Sequence, residues 1–369
     1  MNFEPIAVSI LTGFLGAGKT TLLNRLLKDP MLDSTAVIIN EFGDVSIDHM
    51  LVEQASDGVI QLADGCLCCT VRGELVDTLA DLVDRMQIGR IAPLKRIVIE
   101  TTGLADPVPV LQAVMGHPAL VQALRLDGVI CVVDAVNGRA TLDAHQEAVR
   151  QVAVADRIVL AKSDMADEGD RETLASRLSA LNPTAEVLDA GDATTGAAAL
   201  FNCGLYDPSR KIADVARWLG GPVDHHDHAH HHDGNDDHHH EHHHHDQRVR
   251  TLSLVHDKPV PFAVVEAFLD LLRSTQGDKL LRMKGVIELA DDPDRPLVIH
   301  GVQKIMHPPA RLPQWPAGDR GTRIVLITFD MSEEYVRRLF SAFMGAPGID
   351  TPDRAAMQDN PLAIAGFKP

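Results

Sequence analysis

Five short apolar runs set the tightest limit on what this chain can fold into: Ile6–Leu11, Ala36–Ile39, Arg96–Ile99, Gly128–Val133 and Arg157–Leu160. They are rich in β-branched residues and nearly continuous. A strand with one wet face would alternate, so these read as parallel strands covered on both sides. Helical patterns, for example Leu75, Leu79, Leu82 and Val83, lie between them. Strand, helix, strand in repetition predicts an α/β fold, a doubly wound and mostly parallel sheet, over residues 1–215. Past it, residues 249–345 predict a smaller α+β domain. Its strands fall at Val249–Val255, Met283–Leu289, Leu297–Val302 and Arg323–Phe329, with helices opening near Pro261 and at Ser332. A tail over 346–369, rich in Pro, Gly and Asp, is expected to be irregular.

Between the two units, residues 216–248 form a His/Asp-rich linker expected to be disordered. Its core, 224–246, holds 13 histidines and seven acids and has no Lys, Arg or large apolar side chain. Such a stretch cannot bury enough apolar area to offset the entropy of ordering it. Neutral imidazoles bind Zn2+, Co2+ or Ni2+ in many alternative sets, so the tract offers metal capacity without a fixed geometry.

Charge and length exclude several classes. Lys and Arg number 34 against 52 Asp and Glu, a formal charge of −18, and aromatics are 4% of the chain. An acidic surface with few stacking rings argues against a nucleic-acid partner. No apolar run reaches about 18 residues, so no membrane span is expected. The five cysteines are odd in number, and three of them (Cys66, Cys68 and Cys69) fall within four residues. That suits metal or thiol chemistry in a reducing compartment better than a disulfide framework, and with no basic leader at Met1–Pro5 it predicts a cytoplasmic protein.

Three segments carry chemistry. Gly13-Phe14-Leu15-Gly16-Ala17-Gly18-Lys19-Thr20 matches G-x-x-x-x-G-K-[ST] and sits between the first strand and a helical run through Leu22, Leu23, Leu26 and Leu27. Glycines there let backbone N–H groups turn inward around a phosphate at the positive end of the helix. Lys19 is expected to reach the β- and γ-phosphates, and the Thr20 hydroxyl to hold Mg2+. Glu100-Thr101-Thr102-Gly103 follows a strand where a nucleoside triphosphatase keeps a second Mg2+-side carboxylate and a γ-phosphate-sensing glycine. This makes Lys19, Glu100 and Gly103 the catalytic candidates. Ala161-Lys162-Ser163-Asp164 occupies the place of the Asn-Lys-x-Asp guanine site of GTPases, with Ala161 where an amide would brace the loop.

The thiol segment is the third. Cys66-Leu67-Cys68-Cys69 offers three thiolates in four residues, which favours Zn2+, Co2+ or Cu+, with a redox dithiol or buried structural cysteines as the alternatives. Four residues cannot close a tetrahedral shell alone, so a ligand such as Glu41, in Asn40-Glu41-Phe42-Gly43-Asp44, water or a partner must complete it. Cys131 and Cys203 stand apart and read as core residues, and His117 and His145 as packing or surface residues.

Gly13–Thr20, Asn40–Gly43, Gly65–Cys69 and Glu100–Pro107, together with Leu281–Gly285, His300–Gln303 and Trp315, resemble the CobW-type metal-chaperone GTPases over about residues 6–345. The resemblance implies a P-loop GTPase domain with a CobW C-terminal-like domain, and slow GTP hydrolysis coupled to delivery of Zn2+ or Co2+ to a client metalloprotein. By matching position it implies that Gly13, Gly16, Ala17, Gly18, Lys19, Thr20 and Thr21 hold the nucleotide phosphates and that Lys162 and Asp164 hold the base. Cys66, Cys68, Cys69 and Glu41 would bind the cargo metal, with Thr20 and Glu100 on Mg2+. Ala161 departs from the family's Asn and puts guanine selectivity in question. A cobalt-handling factor of cobalamin synthesis and a non-catalytic His-rich zinc buffer are the alternative functions, and a homodimer is compatible with either.

Overall fold

The computed structural model describes residues 4–39, 59–61, 70–201, 248–307, 309–315 and 320–345. Cys66, Cys68, Cys69, Glu41, Cys203, the His-rich segment and the tail lie outside the described residues.

Seven parallel strands make the first sheet: β1 (Ile6–Thr12), β2 (Thr35–Ile39), β3 (Val59–Gln61), β4 (Arg96–Glu100), β5 (Leu124–Asp134), β6 (Arg157–Ala161) and β7 (Glu186–Asp189). Their spatial order is β3-β2-β4-β1-β5-β6-β7. All five expected runs are strands, and β1, β2 and β4 are buried nearly end to end, as continuous apolar runs require. The short edge strands β3 and β7 were not expected; at three and four residues they carry too little pattern to detect.

Helices cover both faces. α1 (Lys19–Leu26) and α7 (Ala197–Leu200) pack on one side through Leu22, Leu23, Leu26 and Leu200. On the other lie α2 (Thr70–Gln87), α3 (Val108–Gly116), α4 (Gly138–Ala144), α5 (Gln146–Val154) and α6 (Glu168–Leu181). The sequence pattern places the start of α2 near Glu74, but the helix opens one turn earlier, at Thr70, directly after the cysteine segment. That first turn bears no apolar periodicity, which is why the pattern missed it.

The second sheet comprises β8 (Val249–His256), β9 (Leu280–Leu289), β10 (Asp292–Val302), β11 (Ile305–Met306), β12 (Ala310–Arg311) and β13 (Thr322–Phe329). It is antiparallel in the order β11-β10-β9-β13-β8, with β12 against β10. One face is covered by α8 (Phe262–Gln276) and α9 (Glu333–Phe343). Phe268 is fully buried there and meets Phe340 and Phe343 edge-on at 5.4 and 6.0 Å. Ser332 caps α9 by accepting from the Tyr335 N–H at 3.3 Å.

The opposite face of this sheet joins the first unit. Val249, Leu281, Val302, Ile327 and Phe329 belong to the same hydrophobic core as α3, α5 and β5. Within that contact sits a buried charge cluster. Asp156, between α5 and β6, accepts from Arg282 Nη2 at 2.9 and 3.0 Å and from Lys284 Nζ at 2.7 Å, both on β9, and from the Val129 N–H at 3.0 Å. Burial would raise the Asp156 carboxyl, but the two cations and the hydrogen bonds outweigh it and hold it far below the usual carboxylate range. Gln112 of α3 also donates to Gln303 Oε1 at 2.7 Å.

Candidate functional site

β1 ends at Thr12 and the chain turns sharply through Gly13, Gly16 and Gly18, each with positive φ. At Gly13 a Cβ would stand 2.3 Å from the Val132 carbonyl oxygen of β5, so only glycine lets the loop leave the sheet at this height. Gly18 begins α1 without a side-chain cap, and no acidic residue occupies the first turn. The helix therefore presents open amides and the positive end of its dipole to the loop, an arrangement that fits a phosphate. Lys19 lies back along the loop, donating to the carbonyls of Gly13 at 2.9 Å and Phe14 at 3.3 Å.

Thr20, on the first turn of α1, donates its hydroxyl to Glu100 Oε1 at 2.8 Å, and Glu100 ends β4 with 4% exposure. The two residues expected to hold Mg2+ are thus in direct contact, 80 residues apart in sequence. Both are hard oxygen donors next to the phosphate cradle, which fits Mg2+. Thr101 Oγ1 donates to Thr12 Oγ1 at 2.9 Å and fastens the start of the next segment to β1. Gly103 then meets the phosphate loop: a Cβ there would lie 2.5 Å from Leu15 N and 2.7 Å from Leu15 Cα.

The base-site segment follows β6. Ala161 is buried, and its Cβ stands 3.6 Å from where Gly18 would place one. Lys162 adopts a left-handed φ of 59° and donates from Nζ to the Gly16 carbonyl at 2.8 Å and to Asp134 Oδ2 at 2.7 Å. Asp134, at the end of β5, was missed in the sequence because nothing local marks it beyond its place after an apolar run. Its burial would raise its pKa, but Lys162 and the Asn137 and Val136 hydrogen bonds together lower it below the ordinary value. Ser163 donates to Asp189, which also accepts from the Gly191 N–H at 2.7 Å. Arg25 reaches the carbonyls of Ala190 and Thr195, so the 189–196 loop is tied to α1. Asp164, next in the chain after Ser163, is exposed. A cavity of about 290 Å³ opens next to the phosphate loop, lined in part by Phe14, Leu15, Asp134, Asn137 and Lys162.

Cys131 is buried in β5 and its thiol is pushed up to about 12 by burial, with Lys19 pulling weakly the other way. It is a core residue, as expected. His145 stacks on Phe14 at 4.4 Å, a packing role. Among the described residues no three His, Cys, Asp or Glu side chains gather as a metal site. No helix among them is long and apolar enough to cross a membrane.

A glycine-rich loop between a central parallel strand and a helix, with a Thr and a strand-end Glu meeting beside it, defines a P-loop nucleoside triphosphatase. The family is narrower. Residues 7–189 match the CobW/HypB/UreG nucleotide-binding domain and residues 249–344 match the cobalamin synthesis protein CobW C-terminal domain. The chain is 35% identical to the zinc chaperone YjiA of Escherichia coli over 92% of its own length and 98% of that protein. It is 32% identical to the zinc chaperone CobW of a Sinorhizobium species, covering 93% and 98%. The crystal structure of Zn(II)-bound YjiA GTPase from E. coli superposes with a TM-score of 0.67 at 32% identity, over 92% of this chain and 99% of that one. This chain belongs to the CobW/HypB/UreG family of P-loop GTPases.

Proposed function

We propose that the chain is a GTP-hydrolysing metallochaperone that binds Zn2+, or Co2+, at Cys66, Cys68 and Cys69 and passes it to a client metalloprotein in the cytoplasm. The register of the first sheet carries this reading. Ile39 pairs with both Gln61 and Glu100, so β2, β3 and β4 end at one level. Ile39 and Gln61, the described residues that precede Glu41 and the three cysteines in the chain, therefore lie level with the Mg2+-side carboxylate at the same ends of the strands. The chain re-enters helix at Thr70, next to Cys69. That common edge supports coupling between nucleotide and thiolates, and relatives named zinc chaperones along the whole chain support the metal.

In this reading the loop 13–18 amides and Lys19 hold the phosphates, while Thr20 and Glu100 would hold Mg2+, which would supply charge neutralisation for the phosphate oxygens. Lys162 and Asp164 take the base, with guanine preference weakened by Ala161. The segments that begin at Glu41 and at Glu100 close around the triphosphate and bring the thiolates into metal-binding geometry. After hydrolysis they relax, and the ion moves to a client docked on the chaperone. Linkage requires GTP to tighten metal binding by the factor by which metal tightens GTP.

The test is a Zn2+ and Co2+ titration against a competing chelator, on protein lacking residues 224–246, with a non-hydrolysable GTP analogue, GDP or no nucleotide. One tight ion is expected that needs both the analogue and the cysteines, and Cys66→Ser/Cys68→Ser/Cys69→Ser abolishes it. Loss of nearly all bound metal on deleting the tract, with nucleotide making no difference, establishes the zinc buffer instead.

A further inference from the structure

Two neighbouring side chains on α5 govern the turn that follows Glu100. Gln151 is fully buried and donates from Nε2 to the carbonyls of Gly103 at 3.1 Å and Ala105 at 3.0 Å. The turn is closed by the Ala105 N–H bonding to the Thr102 carbonyl at 3.1 Å. Asp106 then starts α3 by accepting from the Val108 N–H at 3.0 Å. One amide on a distant helix thus takes up two carbonyls of a short stretch, Thr102–Asp106.

The anchor behind Gln151 is stiff. Its neighbour Arg150 pairs with Asp106 Oδ2 at 3.1 Å, and its guanidinium lies 4.8 Å over the ring of Phe329 on β13. Arg248 packs on the same ring at 4.5 Å and pairs with Asp330. So α5 is gripped on its far side by the second sheet, where the chain emerges from the His-rich segment. What Gln151 holds in place is the backbone against which the phosphate loop rests, since Leu15 and Gly103 are already in closest contact. A shift of a few tenths of an ångström at Gly103 either obstructs the loop or opens a gap above it.

We propose that Gln151 is a positioning residue for the γ-phosphate: by holding the Gly103 and Ala105 carbonyls it keeps the Thr102–Ala105 turn at the separation from Leu15 that a triphosphate requires. The proposal rests on the GTPase assignment and needs no metal cargo. A diphosphate is gripped by the loop amides and Lys19, short of this turn, so the effect is selective for the third phosphate. Two buried carbonyls left without a donor would reorient toward other partners and carry the turn with them.

Gln151→Met keeps side-chain length and removes both N–H donors. Binding of a non-hydrolysable GTP analogue and kcat are each expected to fall at least tenfold, while GDP affinity stays within twofold. Equal loss for both nucleotides, or no loss for either, overturns the proposal, because a merely structural residue would not distinguish them. Hydrogen exchange on the unaltered protein gives a second reading that does not depend on the variant folding. The amides of Gly103–Asp106 are expected to exchange at least fivefold more slowly with the analogue than with GDP, and equal rates overturn the assignment. All measurements are made without zinc, so a failed metal titration leaves these outcomes readable on their own.

Discussion

Replacing Asp156 with asparagine tests how the two sheets are held together. The carboxylate is buried and faces Arg282 and Lys284, which are 1% and 2% exposed. The amide would keep the shape and one accepting oxygen, but it would put an N–H donor in place of the other and withdraw the negative charge that faces two buried cations. Breaking a buried ion pair from one side costs about 3–5 kcal/mol, because the partner is stranded without water. At roughly 2–4 °C per kcal/mol for a unit of this size, Asp156→Asn lowers the first melting transition by about 6–20 °C. Scanning calorimetry at neutral pH reads this directly. The sign with pH follows from the depressed carboxyl. Its contribution is complete above the unfolded value of about 3.9 and is lost as pH falls toward the folded one, so wild type and variant converge only in acid. A triple change to apolar residues of similar volume, Asp156→Leu/Arg282→Met/Lys284→Met, is expected to recover most of the loss. A shift below about 1 kcal/mol for Asp156→Asn at neutral pH would refute the argument that this cluster locks the interface.

His300 supplies a second pH dependence in a different window. Burial, then His307, Arg282 and Lys284, hold its imidazole well below the ordinary value, so the folded chain keeps it neutral. The unfolded chain takes up that proton below about pH 6.5, so stability falls as pH drops through this range, by at most about 1.4 kcal/mol per unit. Denaturant titrations at pH 7.5 and 5.5 are expected to show this loss in wild type and a flatter profile in His300→Gln. Gly103→Ala drives a methyl onto Leu15 backbone atoms. Fluorescent-nucleotide titration is expected to show GTP-analogue affinity reduced at least tenfold, and an unchanged value would mean the turn and the phosphate loop are not packed as described.

What could be read ahead of the structure was whatever neighbouring residues decide among themselves. Continuous β-branched runs marked β1, β2, β4, β5 and β6 because burial on both faces leaves no room for alternation. Glycine spacing marked the phosphate loop because φ at Gly13, Gly16 and Gly18 is a local matter. Ser332 was legible as the start of α9 for the same reason. The Thr20 and Glu100 assignments come from place in the motif, and the fold brings the two side chains to 2.8 Å.

The rest is long-range. Lys162 donates its ammonium to Gly16 and Asp134, a pairing made by the distance between β6 and β5 that nothing in the local sequence marks. Gln151, Arg150 and Asp156 look in the sequence like ordinary polar residues at the end of an amphipathic helix. Their roles exist because α5 lies between the Gly103 turn and the second sheet, bringing Asp156 to Arg282 across 126 positions. A chain's pattern determines which segments become strands, helices and phosphate loops, since each settles its own backbone and its own buried face. Which charges must then meet inside, and which carbonyls need a donor from elsewhere, is decided only when those segments pack and water is driven from between them.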